Sequence, residues 1–80
     1  MHLSIYSLRE TIFEGEATSV SLPTPLGEMT VLDHHIPMVS AVSPGQIHYV
    51  LPDSTTTVLP FNGGILEVRP ESSVIVLANP

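Results

Sequence analysis

Few residues in this chain could do acid–base or metal chemistry: four histidines, eight carboxylates and no cysteine. The densest cluster is Asp33-His34-His35. Two imidazoles beside a carboxylate are the donor set of a metal centre or of a general acid–base pair. The spacing argues against both. Neighbouring side chains on a strand leave opposite faces, so His34 and His35 could share an ion only in a loop. A zinc centre also needs three or four ligands. His2 and His48 lie in other segments at no recognisable ligand spacing. A metal-dependent hydrolase would need His34, His35, His48 and Glu28 to converge, and the pattern gives no reason for that. The stretch reads as a surface loop, the kind of element that touches partners. No metal site is expected.

The remaining carboxylates read as surface charge. Glu14 and Glu16 flank Gly15 and suggest a solvated turn between strands, while Glu67 and Arg69, two apart, share a strand face and should form a surface ion pair. Nucleophile motifs are missing: there is no G-x-S-x-G elbow and no thiol. Gly63-Gly64 opens no helix, so it is no phosphate-cradling loop. "SVSL" and "STTT" read as edge or surface-strand material. No catalytic residue and no cofactor-binding residue is expected.

The elements that must position these residues are short. Apolar residues alternate at Leu3 and Ile5, Val20 and Leu22, Met29 and Val31, and Ile47, Tyr49 and Leu51. Period two is the signature of a half-buried strand. "GGILEV" and "SVIVLA" add two strands rich in β-branched residues. "TPLG" favours a type I turn and "SPGQ" a type II turn, and "PDS" and "NGG" separate further strands. Turn signals about every ten residues, with no helical stripe, indicate an all-β sandwich or small barrel. In "HIPMVSAV" the apolar residues do not alternate cleanly, so either they enter the core or part of them forms an exposed ridge.

Size and charge bound the function. Eighty residues, 1–80, make one small domain with a thin stability margin that a partner would firm up. A net charge of −6, with Arg9 and Arg69 as the only strong bases, disfavours nucleic acid and anionic lipid surfaces. No apolar run reaches the ~20 residues of a membrane span, and Met1-His2-Leu3-Ser4 lacks signal-peptide character. A soluble, cytosolic acidic domain is expected.

In order, the motifs resemble the epsilon subunit of F-type ATP synthases. The resemblance rests on Phe13-Glu14-Gly15-Glu16, the L-P-T-x-x-G-E run from Leu22 to Glu28, and His35-Ile36-Pro37-Met38. Pro44-Gly45, the G-G-I-L-E-V run from Gly63 to Val68 and an apolar last strand complete it. It implies a β-sandwich of about ten strands and a non-catalytic rotor subunit of the central stalk. Such a subunit links gamma to the ring of c subunits and couples ion flow to ATP synthesis. Carried over by motif, Gly27, Glu28, His35, Ile36, Pro37 and Met38 would meet the c-ring loops from one end of the domain. Ser7, Leu8 and Arg9 would meet gamma. The location implied is peripheral, on the cytoplasmic face of the membrane, through the complex alone. Two departures stand out. Thr30 replaces a common glycine, and Asp33-His34 replaces Pro-Asn or Pro-Gly. The family's C-terminal helical hairpin is not among these residues, so inhibition and ATP binding are not assigned to them. A stand-alone β-sandwich binding module is the alternative, although its usual aromatics are sparse here, with two Tyr, two Phe and no Trp.

Overall fold

Alternating apolar residues fold into nine strands in the computed structural model, which describes residues 1–79. They are β1 (His2–Tyr6), β2 (Thr11–Glu16), β3 (Ser19–Thr24), β4 (Gly27–Leu32) and β5 (Met38–Val42), then β6 (Gly45–Val50), β7 (Thr56–Phe61), β8 (Gly64–Arg69) and β9 (Ser73–Ala78). Among the described residues there is no helix. The class is all-β, and the strand number is close to the ten expected.

Two sheets face each other. One has the order β2-β1-β9-β8-β5, the other β4-β3-β6-β7. First and last strands pair in parallel within the larger sheet, joining the β1–β2 hairpin to β9, β8 and β5, with Leu3 opposite Val74 and Ile5 opposite Val76. Their inward side chains, with Leu66 on β8, meet Val20, Leu22, Val31 and Ile47 of the smaller sheet, and all of these are buried. Burial at every second position is what the pleat demands, so the sequence alternation maps directly onto the core.

Strand register gives the sandwich two distinct ends. At one lie Met1, Thr18, the loop after Leu32 and the β8–β9 turn; His2 N–H donates to Ser72 O (2.8 Å) and Thr18 N–H to Val50 O (2.7 Å). At the other lie the β1–β2 turn, the β3–β4 turn and Gly63, where Ser43 N–H donates to Pro23 O and Asn79 N–H to Gly63 O. These are the Met1 end and the Leu26 end.

Three local expectations change. Glu14-Gly15-Glu16 is part of β2, not a turn, with Gly15 paired to Leu3. The reason is Phe13, whose ring packs on Tyr49 of the opposite sheet (centroids 4.6 Å apart) and lies over Gly15. That inward anchor holds the segment in the pleat and turns both glutamates to solvent. Pro44-Gly45 is a bend leading into β6 rather than a type II turn, because Gly45 already pairs with Phe61. "SVSL" is central, not an edge: β3 pairs on both sides, and Val20 and Leu22 are buried. The Thr24–Gly27 turn does behave as expected. Pro25 cannot take positive φ, so the primed hairpin turns are closed to it, and the positive φ falls on Gly27 (121°).

Candidate functional site

The Asp33-His34-His35 loop is held by the start of the chain. The Met1 ammonium lies 2.6 Å from Asp33 Oδ1 and 3.5 Å from Glu16 Oε2, and it donates to Ala17 O at 2.9 Å. The hydrogen bond to Asp33 raises the amine pKa above its ordinary value, with the Coulombic pull of Asp33 and Glu16 adding to it and partial burial opposing it. The same bond holds the Asp33 carboxyl below the usual carboxylate range. His34 takes a left-handed conformation (φ 63°), and its backbone N–H donates to Ser72 Oγ at 3.2 Å. His35 N–H donates to Leu32 O at 3.2 Å, and its ring Nδ1 sits 2.8 Å from Ile36 O. Asp33 is therefore an anchor for the loop. Sequence reasoning missed this role because its partner is 32 positions away and is a terminal amine, which no side-chain motif advertises.

Among the described residues no three His, Asp or Glu side chains gather at metal-binding spacing. His2 lies beside Glu14 (3.4 Å) and Glu16 (3.9 Å) on the solvent side, while His48 is on β6 of the other sheet. Glu67 and Arg69 form the expected surface pair, Nε to Oε2 3.0 Å.

What the molecule offers is surface. On the outward face of the five-stranded sheet, one cross-strand row reads Thr11, Tyr6, Leu77, Ile65, Ala41, apolar from β1 to β5 with a threonine at the β2 edge. The next is mixed and reads Glu14, Ser4, Ile75, Glu67, Val39. Val39 is 70% exposed, Ile65 49% and Leu77 45%. The outward face of the four-stranded sheet is broken up instead: Thr30, Ser21, His48, Val58 in one row and Leu32, Ser19, Val50, Thr56 in another. Thr30, where a glycine is common in the resembling family, bonds Ser21 hydroxyl to hydroxyl at 2.9 Å. In "HIPMVSAV" both readings hold in part: Val42 is buried and Met38 packs against the core, while Ile36 and Val39 stand out.

The residues expected to meet one partner are divided between the ends. Gly27 and Glu28 open β4 at the Leu26 end; His35, Ile36 and Pro37 follow β4 at the Met1 end. The expectation of one shared end is corrected by β4 itself, a straight strand whose rise separates its termini by roughly 17 Å. Glu28 and Ile36 are exposed, and no described residue gives Glu28 an ion pair. Ser7, Leu8 and Arg9 form the β1–β2 turn, closed by Ser7 N–H donating to Glu10 O at 2.9 Å. With Glu10 and Asn79 they line an open groove of about 350 Å³. This turn directly follows Tyr6, so it borders the apolar face.

Residues 1–80 match the family model described as ATP synthase, Delta/Epsilon chain, beta-sandwich domain. The chain is 42% identical over 79 residues to a protein named ATP synthase epsilon chain from Bordetella parapertussis, covering 99% of this chain and 56% of that one. It is 33% identical over 76 residues to the same-named protein of Delftia acidovorans, covering 95% and 55%. It thus spans about half the length of these relatives. In fold it is similar to a chain of the Euglena gracilis mitochondrial ATP synthase structure containing OSCP, F1 and c-ring: TM-score 0.90, 23% identity, 95% of this chain and 48% of that one. It is also similar to one in the Tetrahymena thermophila mitochondrial central stalk and c-ring structure: TM-score 0.83, 7% identity, 99% and 63% covered.

Proposed function

The chain belongs to the ATP synthase delta/epsilon chain β-sandwich family, and from that premise we propose that it is a non-catalytic rotor element of an F-type ATP synthase, joining gamma to the c-ring. The relatives described above are named epsilon chain, and the two structural neighbours described above come from ATP synthase assemblies that include a c-ring. The protein would work peripherally, at the cytoplasmic face of the membrane, as part of the complex.

One observation supports this reading above the rest, the four apolar residues in a row across β1, β9, β8 and β5 on the outward face of the five-stranded sheet. A water-facing sheet normally alternates polar residues outward. A contiguous apolar strip on one face, with a hydroxyl-rich face opposite, marks a docking surface. Gamma is its proposed occupant, with Ser7, Leu8 and Arg9 at the margin. The ring is assigned to the free edge of the other sheet. β4 is an edge strand; laid along the ring, it would bring Gly27 and Glu28 down at one end and His35, Ile36 and Pro37 at the other. Met38 supports that loop from inside. Glu28 meets a basic group of the ring and adds register and on-rate more than affinity.

Capture of purified gamma and of detergent-solubilised c-ring tests both assignments. Ile65→Asp with Leu77→Asp should abolish gamma capture while the circular dichroism stays β-rich. Glu28→Gln should slow ring association and flatten its salt dependence. A wild-type chain that captures neither partner would overturn the rotor reading and favour a stand-alone binding module.

A further inference from the structure

Both strong bases of the sequence are arginines, Arg9 and Arg69, so there is no lysine and the α-amine of Met1 is the single primary amine. That nitrogen is built into the fold. Met1 continues the β1–β2 ladder by one step: its ammonium donates to Ala17 O at 2.9 Å, and Ala17 N–H donates back to Met1 O at 3.0 Å. The methionine side chain is buried in the core cluster. A strand nitrogen with one N–H would be satisfied by Ala17 alone. The ammonium has three N–H groups, and two carboxylates take the remainder, Asp33 Oδ1 at 2.6 Å and Glu16 Oε2 at 3.5 Å. Asp33 opens the loop 33–37 between β4 and β5, and this is the loop's one ion pair among the described residues.

Acylation would divide these contacts. When the amine reacts with a thioester or active ester, a C–N bond forms at the acyl carbon and the donor's C–S or C–O bond breaks. One ammonium proton ends on the departing thiol or alcohol and one goes to solvent, leaving a neutral amide with a single N–H. A formyl group retained on an initiating methionine leaves the same kind of amide. Such a nitrogen can keep the ladder bond to Ala17, but it has no charge for Asp33 and Glu16 and sets an acyl oxygen beside them. We infer that the Met1 α-amine is a modification site that sets the state of the 33–37 loop: free, it clamps Asp33; N-acylated, it keeps its place in the ladder and releases the loop. The nitrogen is buried in the folded chain, so its acyl state is fixed before the clamp closes. The lock is internal to the chain and independent of which partner the loop meets.

The test acetylates the chain in urea with an N-hydroxysuccinimide ester, refolds it by dilution and checks for one acetyl group by intact mass. Backbone order parameters are then read by NMR relaxation. Those of the His34, His35 and Ile36 amides should fall from the rigid range, about 0.85, toward about 0.6 or below. Those of Leu66 and Val76, on strands paired on both sides, should not move. Asp33→Asn breaks the clamp from its other side and should loosen the same three residues, and acetylating that variant should add little. Unchanged order at His34 to Ile36 in the acetylated chain would overturn the lock, as would an equal fall at Leu66 and Val76 or a full further fall in Asp33→Asn. If the acetylated chain does not refold, Asp33→Asn decides: loosening confined to the loop supports the lock, and none overturns it.

Discussion

Replacing Asp33 by asparagine removes the charge that meets the Met1 ammonium at 2.6 Å and keeps the side-chain shape. The raised amine contributes stability that is complete below its unfolded pKa, about 8, and is lost as pH climbs through the higher folded value. Asp33, lowered, contributes stability that is complete above its unfolded pKa, about 4, and is lost as pH falls through the lower folded value. Their joint contribution is therefore a plateau from roughly pH 4 to roughly pH 8 with a fall on each side. Asp33→Asn should lower the melting temperature on the plateau and flatten both shoulders. Thermal denaturation across that range checks it, and an unaltered profile would mean that the ion pair does not hold the loop. The acid that looked like a catalytic partner for two histidines instead works on the backbone of the loop that carries them.

At the scale of the element, the glycines of β2 and β8 differ in what surrounds them. A Cβ on Gly64 would overlap the Leu77 carbonyl oxygen on the paired strand β9, which is backbone that cannot yield. A Cβ on Gly15 would come 3.3 Å from Phe13 Cζ, the far end of a side chain that can tilt. Gly64→Ala should cost about 1–3 kcal/mol, as overpacking does, and Gly15→Ala distinctly less. Urea denaturation with unchanged m separates them. Equal costs would mean that the Gly64 contact relaxes as readily as a ring does. The G-G-I-L-E-V run thus carries a packing requirement in its second glycine, and its first meets a positive φ of 97°. Neither requirement concerns phosphate.

For the whole molecule, the balance lies between a small core and an apolar row left outside it. An 80-residue chain without disulfides has little reserve, so covering the Leu77–Ile65–Ala41 row should be visible as stability. With gamma in excess at a hundred-fold its dissociation constant, mass action adds about 2.7 kcal/mol, which for a domain of this size is a rise in melting temperature of roughly 10 °C or more. Differential scanning fluorimetry with and without gamma measures it. No shift with wild type, or an equal shift with the Ile65→Asp, Leu77→Asp variant, would remove gamma from that face. The lengthwise arrangement matters as well. Two candidate contact regions at opposite ends of one edge strand can bear on the same flat partner only if the sandwich lies along it.

The fold class and the inward set are written in local sequence. Period-two alternation at Leu3 and Ile5, Val20 and Leu22, and Ile47 and Tyr49 is a local property, because the pleat alone decides which face a side chain takes. The turn at Thr24–Gly27 was equally legible, since Pro25 and Gly27 constrain their own φ. The fate of Glu14-Gly15-Glu16 was not, because the Phe13–Tyr49 contact that makes it strand joins two sheets. Nor was the edge status of β4, the apolar row assembled from β1, β9, β8 and β5, or the bond between Met1 and Asp33. These depend on strand order and register, which are set by which apolar faces close on one another and leave no trace in local spacing. The division of the candidate contacts between two ends belongs to the same class: six residues of β4 are adjacent in sequence yet rigid in space, and only the folded sheet turns that number into a distance.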